Sequence, residues 1–256
     1  MSLQLMFLVM CFQTFGNKSD SSRYYFKLSP NVGYGIETFK YSGGHGYSYY
    51  EHAYTYRYGA SVKDAKENAA TYSAELKFDL DLPLGIKLVN GLSYSSLSFH
   101  TPQYNGSGSD GYAIRYTYTV DETISMNTTH AFFGLGYGRK IGKMILDADV
   151  CCDLYRVSDF VMERTISISG NTGGGGTPSK GAAYQKGDIN GGVGIRGSVN
   201  FSYKVAGPLY LRAGLVYRSD LSSIKGSGYS GYESISSNFT PVRAYMVNLG
   251  VCFSVK

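Results

Sequence analysis

Four histidines, His45, His52, His100 and His130, are the side chains of this sequence whose ordinary ionisation suits general acid–base work near neutrality. Serine is abundant, so a Ser-His-acid set could be assembled, but no nucleophile elbow of the Gly-x-Ser-x-Gly kind is present. The histidines fall in stretches that read as polar loops, and chance placement accounts for them. Gly192-Val-Gly-Ile-Arg-Gly197 spells a dinucleotide fingerprint, yet that motif requires a helix to follow, and here Ser198 to Val205 continues an extended alternation. Its glycines are expected to allow close packing or bending of a sheet. Of the cysteines, Cys11 lies near the start, Cys151 and Cys152 are adjacent, and Cys252 is near the end, with no Cys-x-x-Cys spacing. No catalytic residue, metal site, disulfide framework or cofactor is assigned.

A second set of reactive side chains is more regular. Glu37, Glu75, Lys77, Asp79, Asp147, Asp149, Asp153, Arg196, Arg212 and Arg218 all fall on one parity of extended stretches. Apolar residues occupy the other parity. Charges of both signs, interleaved with Gly and Ser along a strand face, make an ion-pairing wall rather than a reaction centre.

The elements that carry them are amphipathic strands. The last stretch, Ala244 to Val255, sets Tyr245, Val247, Leu249, Val251, Phe253 and Val255 against Ala244, Met246, Asn248, Gly250, Cys252 and Ser254. Tyr72 to Leu82, Met144 to Leu154 and Ile189 to Val205 alternate in the same way. Further strands are expected over Arg23 to Lys40, from Ile86 to about Tyr94, from about Ser125 to Lys140, and from Leu209 to Tyr217. Asn90 breaks the apolar parity of its strand. Short turns fall near Pro83, Gly142 and Gly207. Long polar segments cover Tyr41 to about Ala69, Thr101 to Ile124, about Arg164 to Lys186 and about Leu221 to Thr240.

Connections therefore alternate long and short, which places all short turns at one end and all long loops at the other. This predicts an all-β fold, a single eight-stranded antiparallel up-and-down transmembrane β-barrel with short periplasmic turns and long extracellular loops. The charged parity would then line the lumen and the apolar parity would face lipid. The alternative is a lipocalin-like soluble barrel with the faces reversed. Composition agrees with strands and turns: Gly 33, Tyr 25 and Trp 0 in 256 residues. The net charge of +5 is spread along the chain and leaves no nucleic-acid footprint. Met1 to Gly16, apolar from Leu3 to Phe12, reads as a signal-peptide-like segment, followed by a barrel domain over 17–256.

From Arg23 to Lys256 the chain resembles the small eight-stranded bacterial outer-membrane barrels, the porin-superfamily group that includes the OmpA membrane domain and OmpX-like proteins. The resemblance rests on strand count, loop asymmetry and the terminal strand. It implies insertion by the barrel assembly machinery into the lipid of the bacterial outer membrane. Many such barrels end in an aromatic residue, whereas here Phe253 precedes Ser254, Val255 and Lys256.

Two tyrosine-rich segments stand out in the long loops. Tyr54, Tyr56 and Tyr58 share a face of one arm, and Tyr116 and Tyr118 repeat the pattern in the next. They are expected to stiffen β-ribbons, to offer a binding surface to an extracellular protein or glycan, or both. Two further membrane strands, ten in all, are the other arrangement these segments allow. The expected role is structural or surface-interactive (adhesion), with a narrow pore for water, ions or very small solutes as the alternative and an outer-membrane enzyme behind it.

Overall fold

A computed structural model of the chain describes residues 25–51, 54–109, 115–170, 179–184, 191–230 and 233–255. The strands in chain order are β1 (Tyr25–Glu51), β2 (Tyr54–Asp81), β3 (Ile86–His100), β4 (Tyr104–Ser109), β5 (Arg115–Ile141), β6 (Met144–Gly170), β7 (Ser179–Tyr184), β8 (Gly192–Ala206), β9 (Leu209–Asp220), β10 (Ile224–Ser230) and β11 (Glu233–Val255). Eight of them close a ring, each antiparallel to its neighbours: β1, β2, β3, β5, β6, β8, β9 and β11. Closure comes from the β1–β11 ladder, which runs from Phe26 opposite Val255 to Tyr47 opposite Glu233. The short β4, β7 and β10 add no wall strand. They extend the sheet at the far end, with β4 filling the place between β2 and β5, β7 pairing β6 and β10 pairing β11.

The short turns lie at one end, as their residues dictate. Gly142 and Gly207 have φ of 60° and 48° at the first central position of two-residue hairpins, the type II′ arrangement that suits the twist of antiparallel strands. The third turn is a single 3-10 turn over Pro83–Gly85, in which Leu84 and Gly85 both adopt positive φ.

One side-chain parity faces outward along each wall strand. Near the short-turn end the outward set is apolar and exposed, including Val32 at 65%, Leu135 at 60%, Val150 at 65% and Leu215 at 64%. So much contiguous apolar surface is untenable in water and is what a lipid-facing belt requires. From Tyr245 to Val255 the stripe spans 11 residues, which at the tilt of barrel strands covers about 25 Å of bilayer. Tyr34–Tyr72 and Tyr217–Tyr245, with ring centroids 5.1 and 5.2 Å apart, sit toward the upper border of this belt. Asn90 faces outward, half-buried, in register with Phe78 and Phe133.

Further along the strands the parity is kept but its chemistry exchanges. On β1 the outward residues pass from Ile36 to Thr38 and Lys40, while the inward ones pass from Glu37 to Phe39 and Tyr41. On β3, Tyr94 gives way to Ser96 and Ser98 outside as Ser95 gives way to Leu97 and Phe99 inside. β5, β6 and β11 do the same, placing Ile124, Met126, Val157, Phe160, Phe239 and Val242 in one buried apolar cluster. Below this level the wall meets hydrocarbon outside and polar groups inside. Above it the wall meets water outside and an apolar core inside.

That exchange corrects the expected loop lengths. The segments expected as long loops from Tyr41, Thr101, Arg164 and Leu221 are largely strand: β1 and β2 stay paired out to Glu51 opposite Tyr54, and β5 and β6 out to Tyr116 opposite Gly170. The tyrosine arm is thus a ribbon, and the ring has eight strands rather than ten. The signal-peptide-like segment 1–16 lies outside the described residues.

A closed barrel is expected to migrate differently in SDS before and after boiling. On β5, Gly134 faces inward, where a Cβ would overlap the Val150 carbonyl oxygen and the Cα of Cys151, backbone atoms that cannot step aside. Gly134→Val should abolish the unboiled, fast-migrating form. Gly142→Ala meets nothing within 4 Å and suffers only the positive φ, about 1–2 kcal/mol, so it should keep that form.

Candidate functional site

The lumen is filled by charges arranged in groups along the axis. At the short-turn rim Lys27 pairs with Asp81 at 2.5 Å. Immediately inside, three cations meet three carboxylates. Lys87 reaches Asp79 at 3.0 Å and Asp147 at 3.2 Å, Arg212 reaches Asp147 at 3.2 Å and Asp79 at 3.5 Å, and Lys77 pairs with Asp149. Arg212 also donates to Ser29 Oγ, and Ser198 donates to Asp149 at 2.6 Å. These six charged residues are all buried, so each needs the partners it has: a lone charge there would lose its hydration without compensation.

The next group holds one pair. Arg196 Nη2 lies 2.5 Å from Glu75 Oε2, and Glu75 also accepts from the amides of Asn31 and Asn248 at 3.2 and 3.3 Å. The Arg196 guanidinium stacks over Phe132, 4.1 Å from the ring centroid, a cation–π contact that covers its other face. Phe132 in turn packs with Val89 and Cys151.

The uppermost polar group is centred on Arg218 and His130. Arg218 Nη2 donates to Glu37 at 2.6 Å, and its Nη1 lies 2.9 Å from His130 Nε2. Guanidinium only donates, so Nε2 is the acceptor and Nδ1–H is left to donate to Asp153 at 3.1 Å. Thr128 Oγ1 is 2.9 Å from the same Nε2 and 2.6 Å from Ser95 Oγ. Asp220 lies 3.9 Å from Arg218 Nε. An acid, an imidazole and two hydroxyls in line have the composition of an activated nucleophile. Here Arg218 occupies the nitrogen that would take the proton, and Ser95, Thr128, His130 and Asp153 are all buried. The geometry is that of a polar clamp.

An aromatic cap closes the lumen above this clamp. Phe39, Phe99 and Phe239 pack edge to face, with centroids 4.8, 5.5 and 5.9 Å apart. Tyr41 packs edge-on against Phe99 and tilted against Phe239, and donates its hydroxyl to the buried Glu122 at 3.0 Å. Tyr155 joins cap to clamp, its ring 5.8 Å from that of His130.

All ten charged residues singled out in the sequence lie in this lumen, and the structure groups them as described. Lys27, Lys87, Asp220 and His130 belong with them and were left out. Parity carries the signal for each, since Lys87 alternates with Leu88 and His130 with Phe133 and Leu135. His130 is a wall residue, inside the strand expected from about Ser125 to Lys140, and the reading of all four histidines as polar-loop residues fails for it. His100 ends β3, exposed, 2.8 Å from Asp121. Cys151 and Cys252 are buried inside and Cys152 faces outward, all three free thiols.

The loop tyrosines are placed by backbone register. Tyr56 is opposite Tyr49, and Tyr54 is opposite Glu51. Tyr58 and Tyr116 flank Gly108 of β4 in one row, and Tyr118 is opposite Gly106. Both tyrosine segments thus belong to one continuous sheet.

A closed barrel with an apolar belt about one bilayer tall, a polar lumen and short turns at one end is a transmembrane barrel of the bacterial outer membrane. Solved structures share the arrangement: outer membrane protein OprG from Pseudomonas aeruginosa (10% identity, TM-score 0.38, covering 90% of this chain and 95% of that one) and Neisserial surface protein A (9%, 0.33, 90% and 99%). Another is Ail of Yersinia pestis, in complex with a heparin analogue (8%, 0.30, 86% and 98%). Identities of this size concern the fold alone, and the barrel stands on its own strand pairing. No protein-family model and no curated protein matches the sequence.

The Glu75–Arg196 pair gives a direct test of the lumen. Arg196→Met leaves Glu75 buried without its cation and is expected to cost about 3–5 kcal/mol. Glu75→Met with Arg196→Met removes both charges and should recover most of that loss in denaturant-induced unfolding from detergent. Equal loss in the single and double variants would contradict the pairing.

Proposed function

We propose that this barrel is a closed outer-membrane protein that braces the membrane and presents the loop-end ribbon to an extracellular protein or glycan. The observation that supports this reading is the doubly sealed lumen. The ion-pair groups fill its lower part, and the aromatic cap fills its upper part. An eight-strand barrel is just wide enough for its own side chains, and here those side chains hold one another. That packing argues against the narrow pore. In this reading the chain is a small barrel like the OmpA membrane domain and OmpX-like proteins, and its outward business is done by the ribbon. Tyrosine-rich strands suit that task, because tyrosine offers a large amphipathic contact at low entropic cost. Arg218 at the imidazole and the cap above it support a structural rather than a catalytic role for the clamp.

Two measurements test the proposal. Purified barrel in planar bilayers is expected to show no conductance steps, and regular single-channel openings would favour the pore instead. Cells displaying the wild-type barrel should adhere to one or more members of a panel of immobilised extracellular glycans and matrix proteins. Replacing residues 45–60 by an Asn-Gly hairpin that retains the barrel should remove the adhesion, and undiminished adhesion would contradict a role for the arm.

A further inference from the structure

Just above the lipid belt, the outer face of β2, β1 and β11 carries positive charge with no partner. Lys40 on β1 is directly opposite Lys66 on β2, and Arg243 on β11 is opposite Thr38, two residues before Lys40 on the same face. Lys63 follows on β2. All four are exposed, and none makes an ion pair among the described residues. The inward neighbours of this patch, Phe39, Tyr41 and Val242, are fixed in the cap, so the charged side chains are held on the outer wall. The acid in the same stretch, Asp64, is exposed and bonded to Ser42: its backbone N–H donates to Ser42 Oγ at 3.0 Å. Glu67 is on the other parity, opposite the inward Phe39.

Like charges directly opposed across an antiparallel pair repel. A water-exposed wall could separate them at no cost to the fold, yet here both are kept and a third lies beside them. The far side of the barrel is different: the outer faces of β5 and β6 carry Asp121, Asp159 and Glu163, and His100 is drawn to Asp121. Arg156 on the outer face of β6 stands among these acids, opposite Thr129, so like charges directly opposed on the outer face are found, among the described residues, on the β1–β2 flank.

Its height is specific. Ile36 and Tyr245, opposite each other, are the last apolar outward residues on β1 and β11 among the described side chains. Arg243 is two residues above Tyr245. Lys40 is four residues above Ile36, which at ordinary strand rise and barrel tilt is roughly 10 Å beyond the hydrocarbon edge. That is where the phosphates of membrane lipids lie. Acyl chains resting on Val32, Ile36, Tyr72 and Tyr245 would hold such a phosphate at high local concentration beside the three cations. Lysine and arginine both make short charge-assisted bonds to phosphate.

We infer that Lys40, Lys66 and Arg243 form a site for the phosphorylated headgroup of an outer-leaflet lipid, whose phosphate bridges the opposed lysines. The inference rests on the barrel standing in the outer membrane, and the test separates the two by scoring heat-modifiable migration in every sample.

The experiment is native mass spectrometry of the detergent-solubilised barrel with diphosphorylated lipid A as probe, against the same lipid stripped of its phosphates. Wild type should retain the phosphorylated probe and release the stripped one. Lys40→Gln/Lys66→Gln/Arg243→Gln, still heat-modifiable, should bind at least about tenfold more weakly, as expected for the loss of three charges at a membrane surface. Lys40→Arg/Lys66→Arg should bind as wild type does. Lys66→Gln alone is read in the same way should the triple variant fail to fold. It should also raise the unfolding temperature in lipid-free detergent, by relieving the repulsion, but not with the probe present. Equal retention by the folded charge-deleted variant, equal retention of the stripped lipid, or displacement by inorganic phosphate would each overturn the site. Loss of heat-modifiable migration in the wild type would instead sink the barrel reading itself.

Discussion

Inside hydrocarbon every peptide N–H and C=O must find its partner within the protein, because water is not there to supply one. The rest of this structure depends on how that demand is met. Each wall strand is bonded on both sides, and the ladder between the first and last strands leaves no open edge in the membrane. Once the sheet closes, each strand has one face for lipid and one for a narrow lumen. Side-chain chemistry is then dictated face by face and level by level.

The lumen follows from the same condition. An eight-strand interior has no room for bulk water, so charged residues directed into it must satisfy one another. Lys77, Lys87 and Arg212 against Asp79, Asp147 and Asp149, and Arg196 against Glu75, are balanced sets. Their value lies in specificity as much as in energy, since buried ion pairs gain little over an apolar filling but tolerate few alternative partners. Above the membrane the requirement reverses. Water now bathes the outer wall, so the interior fills with phenylalanine and tyrosine as any soluble barrel would, and the two regimes meet at the His130–Arg218 clamp below Tyr155.

This reversal explains which parts of the molecule were legible in the sequence. Within the membrane the alternation is interrupted on β3 by Asn90 but runs unbroken on β6, β8 and β11, which can be read with their faces, their turns and the place of Cys252. The ten lumen charges shared a parity for the same reason. At Glu37 to Phe39 the inward parity changes from charged to aromatic, so a reading that tracks apolar against polar sees the pattern end and takes a loop to begin. Strand continuation to Glu51 was therefore legible only as a possible ribbon. His130 falls within the strand expected from about Ser125, but polar neighbours on both parities, Asn127, Thr128 and Thr129, mask its inward place. Contacts between strands far apart in sequence, such as Arg218 of β9 with Glu37 of β1 over the intervening β11, depend on closure and have no local signature.

The central claim is that the two faces of one strand exchange chemistry at the membrane edge. Single nitroxide labels along β1, in a background with the native cysteines replaced, test it most directly. Labels at 32, 34 and 36 should collide with dissolved oxygen and be shielded from a water-soluble nickel complex. Labels at 38, 40 and 42 should show the reverse, and labels at 37, 39 and 41 should be shielded from both. Free access of the nickel complex to positions 32, 34 and 36 would contradict the account and return the apolar face to a soluble fold.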